Sequence, residues 1–592
     1  MTSDDKITYF AETDARNKRV KFGIKAEDRT RHMYVIGKTG MGKSNLLEVM
    51  AIQDIQGGEG LCFIDPHGKT AELLLNYIPE SRLKDVVYFA PFDVEHPIAF
   101  NVMEDVGYDK RHLVVSGLMS TFKKIWVDAW SARMEYILSN TLLALLEYPG
   151  ATLLGVNKMY ADKEYRKKVV DNVTDPAVKS FWVDEFAKYT EKFAAEATPA
   201  IQNKIGQFTN NPLIRNIIGQ PKSSFDIRKM MDERKIIIVN LSKGRVGESN
   251  ANLLGAMFIT KIYLGAMSRA DVSEKQMKSL PNFYLFVDEF QSFANESFAD
   301  ILSEARKYKL NLTIAHQYVE QMSEEVRAAV FGNVGTMIVF RVGSIDAEQF
   351  EKEFAPQFTA DDIVNLGKYQ MYLRLMIDGV GSQPFSAVGL PPVPLPAISY
   401  REQALQASRA NYGQLRSKVE EDIRRQVLGD AAVDGPSAPT QASAPASAPY
   451  NTKQARPKVA PVTYQAPRPQ PQQAPRPQQV PRPEKPDRPV PPLDPTDGFQ
   501  SLKDLKPQAY QRPPQHKPER KGVTEESKQD LRAALANLSV IKPPTNQPKP
   551  AEAPKRPPQE SVNKPKPETK VESGGQKEVP EDVLKKLLDL GN

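Results

Sequence analysis

The stretch "YVIGKTGMGKSNLLEVM", residues 34–50, decides the fold of this chain. A short apolar run comes before a glycine-rich loop, and apolar residues at helical spacing follow it. Gly37, Gly42, Lys43 and Ser44 match the pattern G-x-x-x-x-G-K-[ST], in which glycines let successive N–H groups point at a phosphate. The helix after the loop adds unpaired N–H groups and a partial positive charge. The stretch therefore predicts a polyphosphate-binding loop between a strand and a helix.

The loop residues have separate predicted parts in binding. Lys43 places its charge beside the β- and γ-phosphates of a nucleotide, and Ser44 offers its hydroxyl to Mg²⁺. The residues predicted to bind the nucleotide are Gly37, Lys38, Thr39, Gly40, Met41, Gly42, Lys43, Ser44 and Asn45. A chance glycine-rich turn is the simpler interpretation, but it does not explain the apolar run and the helix on either side.

An acidic pair follows a second apolar run, "FYLFVDEF" at residues 283–290. Asp288 is predicted to hold Mg²⁺ through its water shell, and Glu289 is predicted to polarise the attacking water as general base. Two acidic residues that merely begin a helix after a strand are the alternative. The apolar run before the pair and the phosphate loop upstream favour the catalytic interpretation.

Polar residues also end two other predicted strands. Gln317 ends the run "TIAHQ", 29 residues after Asp288, and is predicted to orient water or to sense the terminal phosphate. A polar residue that simply ends a strand is the alternative. Asp65 and His67, in "IDPHGK", either buttress the phosphate site or form a tight turn with a strand-end cap. We favour the turn for this second pair.

Phosphoryl transfer needs positive charge that a loop, a lysine and Mg²⁺ supply only in part. Arg306, in "ILSEARKYKLN", lies between the acidic pair and Gln317 and is predicted to reach the nucleotide of a neighbouring subunit in a ring. Arg341, in "VFRVG", is the second candidate. For either arginine, a surface salt bridge is the simpler interpretation.

Apolar runs of strand length alternate with helical segments, which predicts parallel strands joined by crossover helices. Further strands are expected within 61–65, 85–92, 235–242, 283–290, 310–317 and 335–343. The run at 370–379 is expected to close the sheet, whereas residues 105–230 show helical periodicity. The predicted fold class is therefore α/β, with a mainly parallel central sheet that is interrupted by an inserted all-α domain.

The C-terminal region differs in composition from the rest. Of 48 prolines, 32 lie in residues 401–592, which also hold 32 Lys and Arg against 23 Asp and Glu, a net charge of +9. Residues 1–400 carry a net charge of −3. Few large apolar residues remain to offset conformational entropy, so residues 430–592 are predicted to form a disordered, basic, Pro-rich tail. The tail either binds an acidic partner or serves only for solubility.

Helical signals persist after residue 398. Residues 399–429 are predicted to form a linker helix that leaves the core, and short helices are expected near 524–538 and 580–591. The two short helices either bind partner proteins or form only transiently.

The sequence predicts a cytoplasmic protein. Its N-terminal residues lack an apolar core and no run of about 18 apolar residues occurs, so neither a signal peptide nor a membrane span is expected. The longest candidate, "LLGAMFITKIYLGAM" at 253–267, contains Lys261 and is predicted to be a buried helix. The single cysteine, Cys62, lies in an apolar run and fits a reducing compartment.

Five segments together resemble the HerA–FtsK superfamily of ring-forming DNA motors: "MYVIGKTGMGKSNLLEVM", "GLCFIDPHGK", "FYLFVDEFQSF", "ILSEARKYKLNLTIAHQY" and "GNVGTMIVFRVG". Within it they most resemble the type IV secretion coupling ATPases, the TraG/TraD-like conjugation proteins. The resemblance covers roughly residues 20–390. It implies a RecA-like domain, ATP and Mg²⁺ as cofactors, a hexameric ring, and translocation of DNA or a DNA–protein complex. Arg306 matches the position expected of an arginine finger.

Periodicity and composition divide the chain into five parts, and the helical insertion matches the all-α domain of the proteins that the chain resembles. The predicted parts are the first part of the RecA-like ATPase domain (1–104), the inserted all-α domain (105–230), the second part of the ATPase domain (231–398), the linker helix (399–429) and the tail (430–592). Membrane-bound coupling proteins usually begin with transmembrane helices, which this sequence lacks. A cytoplasmic motor, or one held at the inner face of the membrane by a partner or by its basic tail, is therefore expected.

The expected partners are DNA without sequence specificity, further copies of the chain, and secretion or relaxosome-like proteins that contact the tail. The near-neutral charge of residues 1–400 leaves DNA contact to local patches. Three alternatives share the nucleotide site: a secretion or pilus ATPase that moves protein, a DNA-repair motor of the HerA type, and a nucleotide-gated scaffold. Glu289 and Gln317 argue against the scaffold.

Overall fold

The computed structural model describes residues 6–14, 18–190, 196–295 and 297–428. Its strands are β1 (Ile7–Thr13), β2 (Lys21–Lys25), β3 (Met33–Ile36), β4 (Gly60–Asp65), β5 (Val86–Phe89), β6 (Ile236–Asn240), β7 (Phe283–Val287), β8 (Leu310–His316), β9 (Thr336–Val339), β10 (Gln370–Arg374), β11 (Met376–Ile377), β12 (Val380–Gly381) and β13 (Phe385–Gly389). Eleven strands form one sheet in the order β2-β1-β13-β10-β9-β3-β8-β7-β4-β6-β5, and β11 pairs with β12. The predicted tail, with its short helices at 524–538 and 580–591, lies outside the described residues.

The seven strands from β9 to β5 in that order are parallel. Every residue of β3, β4, β6 and β7 is buried, because helices cover both faces of this half of the sheet. Ile36, at the end of β3, pairs with His316 of β8 on one side and with Val339 of β9 on the other. The predicted α/β class with a mainly parallel central sheet is confirmed.

The other four strands of the sheet pair antiparallel. β10 starts the segment 370–379, but it lies inside the sheet between β9 and β13. The expectation that this segment closes the sheet is therefore wrong. β13 and β1 continue the sheet beyond it, with Ala11 opposite Gly389, and β2 forms the edge. β2 and β10 alternate buried residues with partly or fully exposed ones, and β1 and β13 have only three and one buried residues, respectively, so their apolar signal is weaker than that of the parallel strands.

Helices cover the sheet and fill the chain between β5 and β6. The α-helices of the described residues span Ala26–Arg29, Lys43–Gln56, Lys69–Leu74, Arg111–Ile125, Ala132–Glu147, Leu154–Ala161, Lys163–Asn172, Pro176–Ser180, Pro199–Thr209, Pro212–Ile218, Ile227–Asp232, Lys243–Val246, Glu248–Met267, Glu274–Ser279, Ser297–Glu304, Glu324–Asn333, Ser344–Phe354, Ala360–Val364, Arg401–Tyr412 and Arg416–Leu428. The buried helix predicted at 253–267 is confirmed. None of the described helices combines the length and the apolar character that crossing a bilayer requires.

The helices between β5 and β6 occupy the region predicted as an inserted all-α domain. No strand interrupts them in the described residues between 90 and 235. Their buried apolar side chains belong to the same cluster as those on one face of the sheet, while the helix after the phosphate loop packs on the other face. The limits 105–230 stay a prediction.

The segment 399–429 differs from the single linker helix predicted for it. It forms two helices, Arg401–Tyr412 and Arg416–Leu428. The first lies along β5, where the N–H of Tyr88 donates to Ser408 Oγ at 2.8 Å and Ala404 is buried. It therefore covers the edge of the sheet instead of leaving the core, which removes an unpaired strand edge from solvent.

A buried ion pair fixes the helix that follows the phosphate loop. Asp54 accepts hydrogen bonds of 2.8 Å from both Nη1 and Nη2 of Arg29. The two side chains are 1% and 2% exposed, respectively. The guanidinium carbon lies 3.7 Å from the centroid of the Tyr284 ring on β7. The pair thus ties the helix Lys43–Gln56 to the strand that carries the acidic pair.

Substituting Asp54→Ala should lower the free energy of unfolding by about 3–5 kcal/mol, because it leaves a buried guanidinium without its countercharge. Glu421→Ala, which removes an exposed partner of Arg425, should cost at most about 1 kcal/mol. Urea denaturation followed by circular dichroism measures both. Equal losses for the two variants would contradict a structural role of the buried pair.

Candidate active site

The phosphate loop connects β3 to the helix Lys43–Gln56. Gly40 and Gly42 have φ angles of +80° and +127°, which side chains with a Cβ rarely adopt. A Cβ at Gly37 would lie 2.6 Å from the Cβ of Phe340, and one at Gly42 would lie 2.9 Å from Cδ1 of Tyr369. The loop therefore keeps its shape only with glycine at these positions.

The loop presents a set of free backbone donors. Within the described residues, no acceptor is bonded to the N–H groups of Thr39, Gly40 and residues 42–45. The N–H groups of Lys38 and Met41 instead bond to the carbonyls of Arg341 and Lys38, which holds the loop against the end of β9. Successive unpaired N–H groups at a helix N-terminus form an anion site, so this loop fits a polyphosphate.

The Lys43 side chain points into the loop and is 5% exposed. Its Nζ donates to the carbonyl of Gly37 at 2.6 Å. Burial lowers the pKa of this amine, and the nearby carboxylates of Glu289 and Asp288 oppose that shift. A polyphosphate in the loop would supply the negative charge that favours the ammonium form.

Ser44 and Asp288, the two predicted magnesium ligands, are in contact. Ser44 Oγ donates to Asp288 Oδ2 at 3.0 Å, and the N–H of Glu289 donates to Asp288 Oδ1 at 2.9 Å. Burial, together with the charges of Glu289 and Asp65, raises the pKa of Asp288 to about 6. Oxygen donors surrounded by excess negative charge fit Mg²⁺, a hard cation.

Glu289 follows β7 in the left-handed region, with φ of +47°. Its Oε1 accepts from Gln317 Nε2 at 2.6 Å, and its Oε2 accepts from Gln291 Nε2 at 2.6 Å. The hydroxyl of Thr39 donates to Gln317 Oε1 at 3.0 Å. A continuous chain of hydrogen bonds therefore joins the phosphate loop, the predicted sensor and the predicted general base.

Two residues of this site were not predicted from the sequence. Gln291 holds the second oxygen of Glu289, and its position two residues after the acid was the only available signal. Tyr369 donates its N–H to the carbonyl of Met41 at 3.0 Å and packs its ring against Gly42. Nothing in the sequence links Tyr369 to a loop more than 300 residues before it.

The two candidate arginines lie at opposite ends of the parallel strands: Arg306 at the amino ends and Arg341 at the carboxyl ends. Arg306 is exposed in the turn before β8, and its guanidinium makes no ion pair or hydrogen bond with the described part of the chain. The seven residues of β8 separate it from Gln317 by about 20 Å. Arg341 follows β9, where its carbonyl accepts from Lys38. Arg306 thus lies far from its own phosphate loop, whereas Arg341 lies beside it.

Asp65 and His67 form the turn that the sequence favours for them. Asp65 Oδ1 accepts from the N–H of His67 at 2.8 Å, and Oδ2 accepts from the N–H of Ala71 at 2.9 Å. Asp65 is buried, whereas the His67 side chain is exposed. Asp65 therefore caps the turn, and it acts on the site through its charge near Asp288.

Comparison with known families assigns the chain to a family. The model of a family described as Type IV secretory system Conjugative DNA transfer matches residues 3–333, more than half of the chain. The chain belongs to this family. It is a P-loop ATPase of the type IV secretion and conjugation class. A search of the curated proteins found no match.

Several solved structures are similar in fold. The unbound bacterial conjugative coupling protein TrwBΔN70 is 14% identical, with 66% of this chain and 95% of that chain covered and a TM-score of 0.47. TrwB in complex with ADP and Mg²⁺ is also 14% identical, with 67% and 98% covered and a TM-score of 0.48. VirB4 of Thermoanaerobacter pseudethanolicus is 14% identical, with 67% and 99% covered and a TM-score of 0.42. Identities of this size assign no individual residues.

Asp288→Asn should stabilise the nucleotide-free protein at pH 7 by about 3 kcal/mol, because a carboxyl with a pKa raised to about 6 is ionised there at a cost. A raised pKa stabilises the folded state at low pH, and this stabilisation is lost as the pH rises through about 6. The advantage of the variant should therefore disappear near pH 4. Denaturant unfolding at both pH values measures it.

The matched control is Asp271→Asn, because the Asp271 side chain is 72% exposed. It should change the free energy of unfolding little at either pH. An Asp288→Asn variant that is less stable than the wild type at pH 7 would show that burial does not strain this carboxylate.

Proposed function

We propose that the protein binds ATP with Mg²⁺ at this site and hydrolyses it to move DNA, or a DNA–protein complex, in type IV secretion. One observation carries the hydrolytic part: the hydrogen-bond chain from Thr39 through Gln317 to Glu289. It joins the predicted general base to the phosphate loop. Membership of a conjugative DNA transfer family supports DNA as the cargo.

The residues of the loop bind and orient the nucleotide in this proposal. The free N–H groups of residues 39–40 and 42–45 and the Lys43 ammonium bind the phosphate oxygens. Ser44 and Asp288 hold the cation, with Asp288 acting through water. When bound, Mg²⁺ neutralises charge on the phosphate oxygens as a Lewis acid.

Glu289 takes the proton of the attacking water. Each carboxylate oxygen holds one amide N–H, from Gln317 or Gln291, and each has a second lone pair that a water O–H can approach. Gln317 also contacts Thr39, so its amide lies between the water and the phosphate loop. Its proposed role is to align the water and to respond to the terminal phosphate.

The position of Arg306 supports a ring. Its own loop lies at the far edge of the sheet, so the guanidinium completes a site only when a second subunit presents its loop. Such contacts are head to tail, and they close into a ring when the rotation between subunits allows it. We take a hexamer from the resemblance to ring-forming motors.

The cargo and the partners are the least constrained part of the proposal. The net charge of −3 on residues 1–400 gives no overall attraction to DNA, so contact depends on local patches and on the phosphate backbone. The same charge favours a second candidate function, an ATPase that moves protein. Secretion or relaxosome-like partners and peripheral contact with the membrane are assigned to the tail, whose net charge is positive.

ATP hydrolysis by the full chain, measured with and without DNA, tests the proposal. Wild-type protein should hydrolyse ATP, and DNA should stimulate it. Lys43→Ala should lose nucleotide binding, whereas Glu289→Gln should still bind ATP with kcat lowered by about 10²- to 10⁴-fold, because only the general base is lost. Glu402→Gln, at a 76% exposed side chain, is the matched control and should retain activity. No hydrolysis by the wild type would sink the proposal, and hydrolysis that DNA leaves unchanged would favour a protein cargo.

Mixing two inactive variants tests whether Arg306 acts in trans. Arg306→Ala should keep ATP binding and lose about 10³-fold or more in kcat, as loss of an arginine finger does. Mixing it with Glu289→Gln should restore hydrolysis, because the second variant supplies an intact Arg306 to the intact site of the first. The same mixture made with Arg341→Ala should recover nothing. A mixture no more active than its separate components would refute a trans role.

A further inference from the structure

A helix from the region between β5 and β6 binds the segment that follows Glu289. Lys124, on the helix Arg111–Ile125, donates from Nζ to the carbonyl of Gln291 at 2.5 Å and also to the carbonyl of Ala294. Two backbone carbonyls within four residues therefore share one ammonium. Lys124 comes from a part of the chain more than 160 residues before this segment.

Two more contacts come from the same turn of that helix. Thr121 Oγ1 accepts from Asn295 Nδ2 at 3.2 Å, and Ser120 Oγ accepts from Ser297 Oγ at 3.2 Å. Residues 120, 121 and 124 lie on one side of the helix, so a single helical face contacts residues 291, 294, 295 and 297. A shift of this helix would act on the whole segment.

Gln291 connects Lys124 to Glu289, the proposed general base. Its Nε2 donates to Glu289 Oε2 at 2.6 Å, while its Oε1 is buried with no hydrogen-bond partner in the described part of the chain. The side chain is thus anchored only through Glu289, and its backbone carbonyl is anchored by Lys124. Two hydrogen bonds therefore link the helix Arg111–Ile125 to the carboxylate of Glu289: one from Lys124 to the Gln291 carbonyl, and one from Gln291 Nε2 to Glu289 Oε2.

We propose that Lys124 and Gln291 are positioning residues through which the inserted helical region sets the place of Glu289. The inference rests on the proposed hydrolysis at this site. A displacement of the helix Arg111–Ile125 moves the carbonyl of Gln291 and with it the amide that holds Glu289 Oε2. Hydrolysis then depends on the position of the helical region through the contact between Lys124 and Gln291.

The environment of Lys124 makes this contact sensitive to displacement. Burial lowers the pKa of its amine to about 8, with the charge of Lys243 acting in the same direction. The ammonium compensates for burial by binding carbonyls, so a displaced helix leaves it without acceptors. Lys243, which precedes β7 in the sheet part of the chain, holds the same turn from the other side through Ser292 Oγ at 2.8 Å.

Steady-state ATPase measurements on the full chain test the link. Lys124→Met and Gln291→Ala should each lower kcat by about 10- to 150-fold with the KM for ATP unchanged, because each removes a hydrogen bond to a charged group outside the phosphate loop. Lys124→Arg, which keeps a cation, should recover part of the rate. Lys222→Met, at an exposed lysine of the same helical region, should leave kcat unchanged.

The double variant separates a link from mere stabilisation. If Lys124 acts through Gln291, the double variant should be no slower than the slower single variant, whereas independent effects should multiply. Multiplied effects, or a kcat that both single variants keep, would overturn the inference. If Lys124→Met does not fold, as judged by its thermal unfolding, kcat and KM of Gln291→Ala alone decide. Absence of hydrolysis in the wild type would instead overturn the proposed function.

Discussion

Parallel strands carry all their carboxyl ends to one edge of a sheet, and β3, β8 and β7 are neighbours in this one. The phosphate loop, Gln317 and the acidic pair follow these three strands, so their side chains meet. Ser44 and Asp288 touch across 244 residues of sequence for this reason. The register allows no slip, because moving β8 by one residue would turn Gln317 towards the other face.

The carboxyl ends of these strands bring three acidic side chains together in a buried site. Asp65, Asp288 and Glu289 are all buried at this edge, and Lys43 is the opposing ammonium in the loop. Asp65 is satisfied by two backbone N–H groups of its own turn, whereas Asp288 has one hydroxyl and one N–H. The strain therefore concentrates on Asp288, the residue proposed to act on a cation. Such a site is less stable empty than an uncharged one would be, which is a common cost of function.

The parallel half of the sheet could be predicted because its strands are buried on both faces and read as unbroken apolar runs. The same runs located Asp288, Glu289 and Gln317, which stand where each run ends. β1 and β13 could not be predicted, because few of their residues are buried and they pair across almost the whole folded chain. Gln291 depends on the left-handed backbone of Glu289, which turns the chain so that a residue two positions later faces back. Hydrophobic periodicity in the sequence does not predict a left-handed residue such as Glu289.

The site also divides along the length of β8. Gln317 follows one end of this strand and Arg306 precedes the other, so one subunit holds two halves that its own rigid sheet keeps apart. On the proposed function, the halves unite only between copies arranged head to tail, and an open row always leaves one incomplete site at its end. A closed ring removes that end. In that ring, ATP hydrolysis at one phosphate loop requires Arg306 of the neighbouring subunit, so the rate of hydrolysis depends on the contact between the two subunits. Glu289 and Arg306, the proposed base and finger, lie 17 residues apart, and the helix Arg111–Ile125 contacts Gln291 and Asn295 between them. In the proposed ring, this part of the chain joins the helical region, the subunit's own site and the neighbour's site.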